Sequence, residues 1–404
     1  MVNPKGHFLN NLIETTYSFN KKFDVQWILN KNFTNEGTFL PKVKIYKNIH
    51  SNIFKRKEYK LFYFIEEFFL FFVNILQIIY FSFLFLFLNK NKFIPFFNAL
   101  KSNYFLLPRY FKTFYQIYKK LKLTDNDHVF FQTARRKDIS LINFLIKMDK
   151  NHPKFHIRVM LPPKERFKGF FYYLRSIDKE LKNKRAFIYL WSDFNFKTFL
   201  KKSLSKKGIF KSNIPWSFYS RKFKKKNHTI GYLGDARKAR GFHLLPQIID
   251  NLLKKNKSLK FLIQFSKISD DLYNTRDELY KRSIKNKQIK IIEKYVDYKQ
   301  FTDHLKEIDI MPILHESKEI NKVTSGTMYT CIPYEIPMVV PKGTTFMNKV
   351  LKQKSYEKAH NVKDFTNKIL KISHNYRFYL KNIKHNSKIL KKILDNDALK
   401  KNIL

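Results

Sequence analysis

The sequence predicts an α/β protein made of two parallel-sheet domains. Short apolar runs alternate with stretches whose apolar residues recur at helical spacing, which is the pattern of βαβ crossovers. The alternation occurs twice in the 404 residues, so each half is about the size of one domain. A Lys-rich segment from Ser205 to Asn227, containing Pro215, reads as the connector between them. Only nine glycines punctuate the chain, and five fall in two short clusters of the second half. Glycine permits positive φ and close backbone approach to a ligand.

In the second half, Asn227 to Leu233 reads as a short buried parallel strand. From Gly241 to Leu253, the apolar residues Phe242, Leu245, Ile248, Ile249, Leu252 and Leu253 define one face of a helix. Between strand and helix runs Gly231-Tyr-Leu-Gly234-Asp-Ala-Arg237-Lys-Ala-Arg240-Gly241. Arg237 and Arg240 stand in the turn that enters the helix, where guanidinium groups can clamp a diphosphate in bidentate fashion. The alternative is a solvated basic turn. Further strands are expected at Lys260–Phe265, Ile289–Tyr295, Asp309–Leu314 and Ile336–Val340, with a short helix over Tyr298–Ile308. The second glycine cluster is Thr324-Ser325-Gly326-Thr327, followed by Pro341-Lys-Gly343-Thr344-Thr345. Both clusters fall at the carboxyl edge of the predicted sheet, where parallel sheets bind ligands.

These motifs, in this order, resemble the nucleotide-sugar half of a GT-B glycosyltransferase over residues 228 to about 346. The nearest resemblance is to the retaining group called family 4. Gly231 to Phe242 resembles that family's strand-turn-helix, in which Arg or Lys residues hold the donor diphosphate. Val323-Thr-Ser325-Gly326-Thr327 resembles its Ser-Gly helix start, whose backbone amides meet phosphate. Ile336-Pro-Met-Val-Val-Pro341 with Thr344-Thr345 resembles its Gly-x-Pro-Val-Val strand and the Thr-bearing loop after it. The resemblance implies two Rossmann-like domains with the active site in the cleft. It implies Arg237 and Arg240 as the catalytic cations, and Gly234, Gly241, Ser325, Gly326, Thr327 and Thr344 as donor-binding residues. It also implies metal-independent retaining transfer, with no cofactor other than the nucleotide-diphosphate sugar as donor substrate. Two departures stand out. The family's two glutamates with seven residues between them align with Lys322 and Thr330. Glu335 stands where the family has glycine, and a glutamate there is expected to hold an ordinary φ. Glu316 and Glu319 lie nearby, as substitutes for the ribose contact or as solvated loop charges.

In the first half, Gly6-His7, a helical stretch to about Phe19 and then Asp24–Leu29 resemble the opening of the family's acceptor domain. Lys42–Tyr46 and His128–Gln132 read as strands, with Arg135 and Arg136 in the carboxyl-end loop of the latter and a helix over Ile139–Met148. His156–Met160 and Ala186–Leu190 complete the first sheet. His7, Arg135 and Arg136 are the acceptor-side candidates. The expected divisions are an acceptor domain over 1–215 with a hydrophobic insert at 61–100, a nucleotide-sugar domain over 216–375, and a helical tail over 376–404 returning to the first domain.

Phe68 to Leu88 is long and apolar enough to cross a bilayer, interrupted only by Asn74, Gln77 and Ser82. Glu66 and Glu67 at its entry, with Lys on both sides, favour a monotopic helix docked on the membrane. A core helix and a true span are the other readings. The formal net charge is +48, which suits an anionic leaflet. The cations are spread along the whole chain, without zinc spacing or an RNA-recognition pattern, so nucleic acid is not the expected partner. Cys331 is alone and reads as a small core residue, in keeping with a reducing compartment. Met1 to Lys22 lacks the apolar core of a cleaved leader, and no metal-ligand spacing is visible. The expected protein is a cytoplasmic glycosyltransferase, peripheral or monotopic on the inner face of the cytoplasmic membrane. It would move a sugar to a lipid-linked or surface-polysaccharide acceptor. Two other classes remain open: a GT-B-like scaffold without catalysis, and a basic membrane- or nucleic-acid-binding protein.

Overall fold

Residues 217 to 221 cross between two stacks of parallel strands, and the side chains around them explain the architecture. A computed structural model describes residues 13–16, 19, 24–30, 44–48, 114, 117–131, 134, 136–159, 174–175, 177–190, 207–214, 216–315, 325–345, 348 and 350–403. Residues 61–100, with the apolar run at 68–88, lie outside them, as do His7, Arg135, Glu316, Glu319 and Lys322. Among the described residues no helix is long and apolar enough to cross a membrane.

Every described strand pair is parallel. In the first half, β1 (Gln26–Asn30) pairs with β2 (Lys44–Asn48). A second sheet runs in the order β3 (His128–Phe131), β4 (Lys154–Val159), β5 (Ala186–Leu190), β6 (Ile209–Lys211). Helices α1 (Arg136–Met148) and α2 (Asp178–Lys182) lie in its crossovers. β6 lies inside the Lys-rich stretch expected to be connector, because Ile209 is buried and pairs with Ile188 of β5.

In the second half, β7 (Thr229–Leu233), β8 (Lys260–Phe265) and β9 (Ile289–Glu293) form one ladder, while β10 (Met311–Pro312), β11 (Met338–Pro341) and β12 (Tyr356–Ala359) form another. A bridge between Ile230 and Ile310, with Gly231 N donating to Ile310 O at 3.0 Å, joins them. The combined order β9-β8-β7-β10-β11-β12 is that of a doubly wound Rossmann-like sheet, in which the order of strand addition reverses between β7 and β10. A Cβ on Gly231 would sit 2.3 Å from the Ile308 side chain, so glycine permits this close join.

The helices follow their sequence signals. In α3 (Leu245–Lys255) the residues Leu245, Ile248, Ile249 and Leu252 are all buried, as their spacing requires. It packs against α7 (Val362–His374), which buries Phe365, Ile369 and Ile372. α4 spans Tyr273–Lys285, and α5 (Tyr298–Glu307) opens with a capping box between Asp297 and Gln300. The short α6 spans Gly326–Cys331. The tail forms α8 (Tyr376–Asp395) and α9 (Ala398–Ile403). Cys331 is fully buried and free, a core residue.

Ser212, Ile214, Trp216 and Arg221 of the crossing segment are buried, Ser217 and Phe218 are exposed, and hydrogen bonds hold the segment at intervals. Asp397, just before α9, accepts from Ser212 Oγ at 2.6 Å and from Asn213 N at 2.8 Å. Tyr329 OH of α6 donates to Ile214 O at 2.6 Å. Glu14, from the amino-terminal helical turn, accepts from Ser217 Oγ at 2.8 Å and from Tyr298 OH of α5. Burial raises the Glu14 carboxyl to about 6 against those hydrogen bonds. On the first sheet, Leu399 of α9 packs with Phe19, Phe187 and Tyr189. Asn402 Nδ2 donates to Tyr189 OH at 3.3 Å, His156 Nδ1 lies 2.8 Å from that hydroxyl, and His128 Nδ1 lies 2.8 Å from His156 Nε2.

Arg221, only 3% exposed, completes the crossing. Its guanidinium donates to Leu305 O (2.7 Å), Lys306 O (3.1 Å) and Tyr334 O (3.3 Å), and meets Asp309 Oδ1 at 3.3 Å. Asp309, fully buried before β10, also accepts from Thr229 N at 2.9 Å and Lys224 Nζ at 3.0 Å. Removing Arg221 would leave Asp309 with Lys224 as its cation and three carbonyls without their donor, and breaking such a buried pair costs about 3–5 kcal/mol. Arg221→Ala is therefore expected to lower the urea midpoint by that equivalent. Arg221→Lys should recover only part of it, since an ammonium cannot reach three carbonyls and a carboxylate at once.

Candidate functional site

At the carboxyl end of β7 the chain turns sharply. Gly234, at φ 128°, sends its amide to Gln264 O of β8 at 3.1 Å. Ala236 is fully buried and bridges Ile268, with Ala236 N donating to Lys267 O at 2.7 Å and Ser269 N to Ala236 O at 3.1 Å. Tyr232 OH donates to Asp235 O at 3.1 Å. These bonds fix the turn before any ligand arrives, which is the preorganisation an anion site requires.

Two 3-10 turns follow, Lys238–Arg240 and Phe242–Leu244, with Gly241 between them at φ 70°. That left-handed residue cannot sit within an α-helix, so α3 starts at Leu245 and not at Gly241 as its apolar spacing suggested. A Cβ on Gly241 would lie 2.4 Å from Leu314 O. The turn after β7 therefore touches the chain leaving β10, at the place where the strand order reverses. That crevice is where doubly wound sheets hold ligands.

The two arginines of the turn differ. Arg237 is exposed and pairs with Asp235 Oδ2 at 2.7 Å, so its charge is already matched. Arg240 is half-buried, and its Nη1 lies 2.7 Å from where a Gly234 Cβ would stand. Among the described residues it has no carboxylate partner. A side chain at position 234 would displace it.

His315, the residue after Leu314, shares this crevice and carries no motif. Among the described residues, its buried Nδ1 has no hydrogen-bond partner. Burial, and secondarily the positive charge of Arg240, push its imidazole down to about 4. Its place directly beyond the carboxyl end of a strand was the one signal available in the sequence. Neutral at ordinary pH, it offers one N–H and one lone pair beside a cation.

The other expected donor residues hold their polar groups internally. Ser325 is the N-cap of α6, its Oγ accepting from Met328 N at 3.1 Å. Gly326 opens that helix. Thr327 is buried, and its carbonyl accepts from Thr330 Oγ1 at 2.8 Å. Thr330 is fully buried, its hydroxyl spent within α6. Thr344 Oγ1 donates to Pro341 O at 2.7 Å. Arg136 is the first residue of α1; His7 and Arg135 lie outside the described residues. Glu335 corrects the expectation of an ordinary φ. It adopts φ 53°, the conformation glycine would take. Its Oε2 accepts from Arg221 N at 2.8 Å, which offsets the strain of a left-handed glutamate. Among the described residues no cluster of His, Cys, Asp and Glu could hold a metal ion.

By sequence, no protein-family model and no curated protein matches the chain. By structure it is similar to the sucrose-phosphate synthase of Thermosynechococcus elongatus, at 10% identity and TM-score 0.56, over 96% of this chain and 89% of that one. It is similar also to the pneumococcal O-GlcNAc transferase GtfA, solved in complex with UDP and GlcNAc. There the identity is 12% and the TM-score 0.50, over 72% of this chain and 59% of GtfA. The architecture is thus the GT-B fold found in glycosyltransferases, with two Rossmann-like domains.

The His315 environment has a measurable consequence. Its folded pKa lies below the ordinary 6.5, so on acidification the unfolded chain takes up a proton first. The stability from burying neutral His315 is present above about 6.5 and is lost as pH falls toward about 4. Glu14, raised to about 6, has the opposite sign: its contribution is present at low pH and lost as pH rises through that value. In urea unfolding, the stability gap between the natural protein and His315→Gln should narrow from pH 7 to pH 4.5. A gap independent of pH would mean that His315 is not held neutral.

Proposed function

We propose that this protein is a metal-independent glycosyltransferase that binds a nucleotide-diphosphate sugar at the β7–β10 crevice. The observation that carries this is Arg240: a cation without a carboxylate partner among the described residues, lodged over Gly234 in a prearranged turn at the reversal point of a GT-B sheet. As the glycosidic bond to the diphosphate breaks, negative charge grows on the leaving oxygen. A fixed guanidinium there stabilises it at no reorganisation cost. His315 stands ready to hydrogen-bond the same group. Arg237, neutralised by Asp235, contributes less. The family 4 resemblance supports a retaining outcome, and GtfA, which binds UDP and GlcNAc, makes UDP-sugars the first donors to test. The apolar run at 68–88 supports a lipid-linked or surface-polysaccharide acceptor, met at the inner face of the cytoplasmic membrane.

Thr330 favours a second reading, a GT-B scaffold that binds a nucleotide without transferring sugar. A thermal-shift screen of nucleotide sugars followed by transfer and hydrolysis assays separates the two: stabilisation without turnover supports the scaffold, and no stabilisation by any nucleotide overturns both. With the responding nucleotide, Arg240→Ala should raise the dissociation constant by roughly 10- to 150-fold, as losing a charge-assisted hydrogen bond does. Arg237→Ala should raise it less than about threefold, in line with an exposed ion pair. Equal effects of the two substitutions would contradict the assignment of Arg240.

A further inference from the structure

Opposite the crevice, at the amino-terminal edge of the second sheet, Lys222-Phe-Lys-Lys-Lys-Asn227 forms a wholly exposed loop. It is held in one place. His228, buried at its end, contacts Ser373 Oγ at 2.8 Å and Lys224 O at 3.1 Å, and its ring lies 4.3 Å from that of Tyr376. These contacts pin the loop against the α7–α8 junction. Two aromatic side chains emerge there, Phe223 and Phe378, each 51% exposed, the most exposed aromatic rings among the described residues. Between them lies an open recess of about 590 Å³, walled also by Lys225, Arg377 and Lys381. His374 lines it too, and Lys222 and Lys226 lie in the same loop as Phe223, all exposed. Residues 222–227 and 374–381 contain no acidic side chain.

Two fixed apolar rings inside a ring of cations are unlike scattered surface Lys. Exposed apolar carbon is favourable only where something removes it from water. We infer that this face of the second domain docks on an anionic lipid bilayer, with Phe223 and Phe378 inserted at the headgroup boundary and the surrounding cations on lipid phosphates. A single-stranded polyanion would need open ring faces for its bases. Here Phe223 stacks on Tyr376, at 6.4 Å and 26°, and Phe378 meets Tyr379 edge to face, at 5.3 Å and 88°. Each ring is thus already engaged by a tyrosine of α8. The inference uses neither the donor crevice nor residues 61–100.

Cys331 is fully buried, so an environment-sensitive dye can be placed selectively on Phe223→Cys or Phe378→Cys in the full-length protein. Ile284→Cys, on α4 and 81% exposed, is the control. With phosphatidylglycerol-containing vesicles, the label at 223 or 378 should shift to the blue and be quenched by nitroxide lipids, while the label at 284 should not respond. Phe223→Ser/Phe378→Ser, both at exposed positions, should weaken vesicle binding roughly tenfold or more. Because the dye reports its own position, docking through residues 61–100 alone would leave it unshifted on vesicle-bound protein, and that result overturns the inference. An equal or larger response to single-stranded DNA than to vesicles also overturns it, in favour of a polyanion surface.

Discussion

Arg221 and Asp309 meet in the core of the second domain, and the register of everything near them depends on that pair. Asp309 fixes the start of β10 and, through Thr229 N, the start of β7. Arg221 gathers the carbonyl end of α5 and the chain before β11 onto the crossing segment. The two strands whose carboxyl ends frame the crevice are therefore aligned from their opposite ends. A slip of one residue at Asp309 would move Leu314 off Gly241 and His315 away from Arg240. Glu335 belongs to the same arrangement: its left-handed backbone is stabilised by the amide of Arg221, so an apparent loss of a glycine is compensated by a bond to the neighbouring hub.

The same segment carries contacts from both ends of the chain. Glu14 and Asp397 are nearly 400 residues apart in sequence, yet both bond residues within 212–217. Ile13 packs into the core of the second half, while Leu399 packs on strands of the first. Arg158 of β4, fully buried and lowered to about 10 by desolvation, remains a cation balanced by Asp397 and set over the Phe130 ring at 5.0 Å. Each end of the polypeptide thus closes on the half of the molecule remote from it in sequence.

Much of the second domain was legible because parallel strands buried on both faces read as continuous apolar runs. Lys260–Phe265 and the buried face of α3 follow directly from that. β6 was hidden because three residues, one of them Lys211, carry too short a pattern inside a Lys-rich stretch. The start of α3 was misplaced because Gly241 is compatible with apolar helical spacing but not, at its φ, with a helix. Spacing placed Arg237 and Arg240 on equal terms, and only the position of Asp235 separates them. His315 escaped notice because its chemistry comes from burial and from a neighbour 75 residues away, neither of which a single sequence displays. The left-handed Glu335 depends in the same way on a bond to Arg221, 114 residues away.

The chain of contacts from Asn402 to His128 admits two directions. Asn402 Nδ2 donates to Tyr189 OH, whose oxygen can still either accept from His156 Nδ1 or donate to it. Burial keeps His156 neutral, with a single ring hydrogen. A hydrogen on its Nε2 points at His128 Nδ1, whereas one on its Nδ1 leaves Nε2 to accept from that same nitrogen. His128, also shifted toward the neutral form by burial, follows with the complementary tautomer. The tautomers of two neighbouring strands are thus tied to one another, and through one tyrosine hydroxyl to the helix that closes the chain back on this sheet.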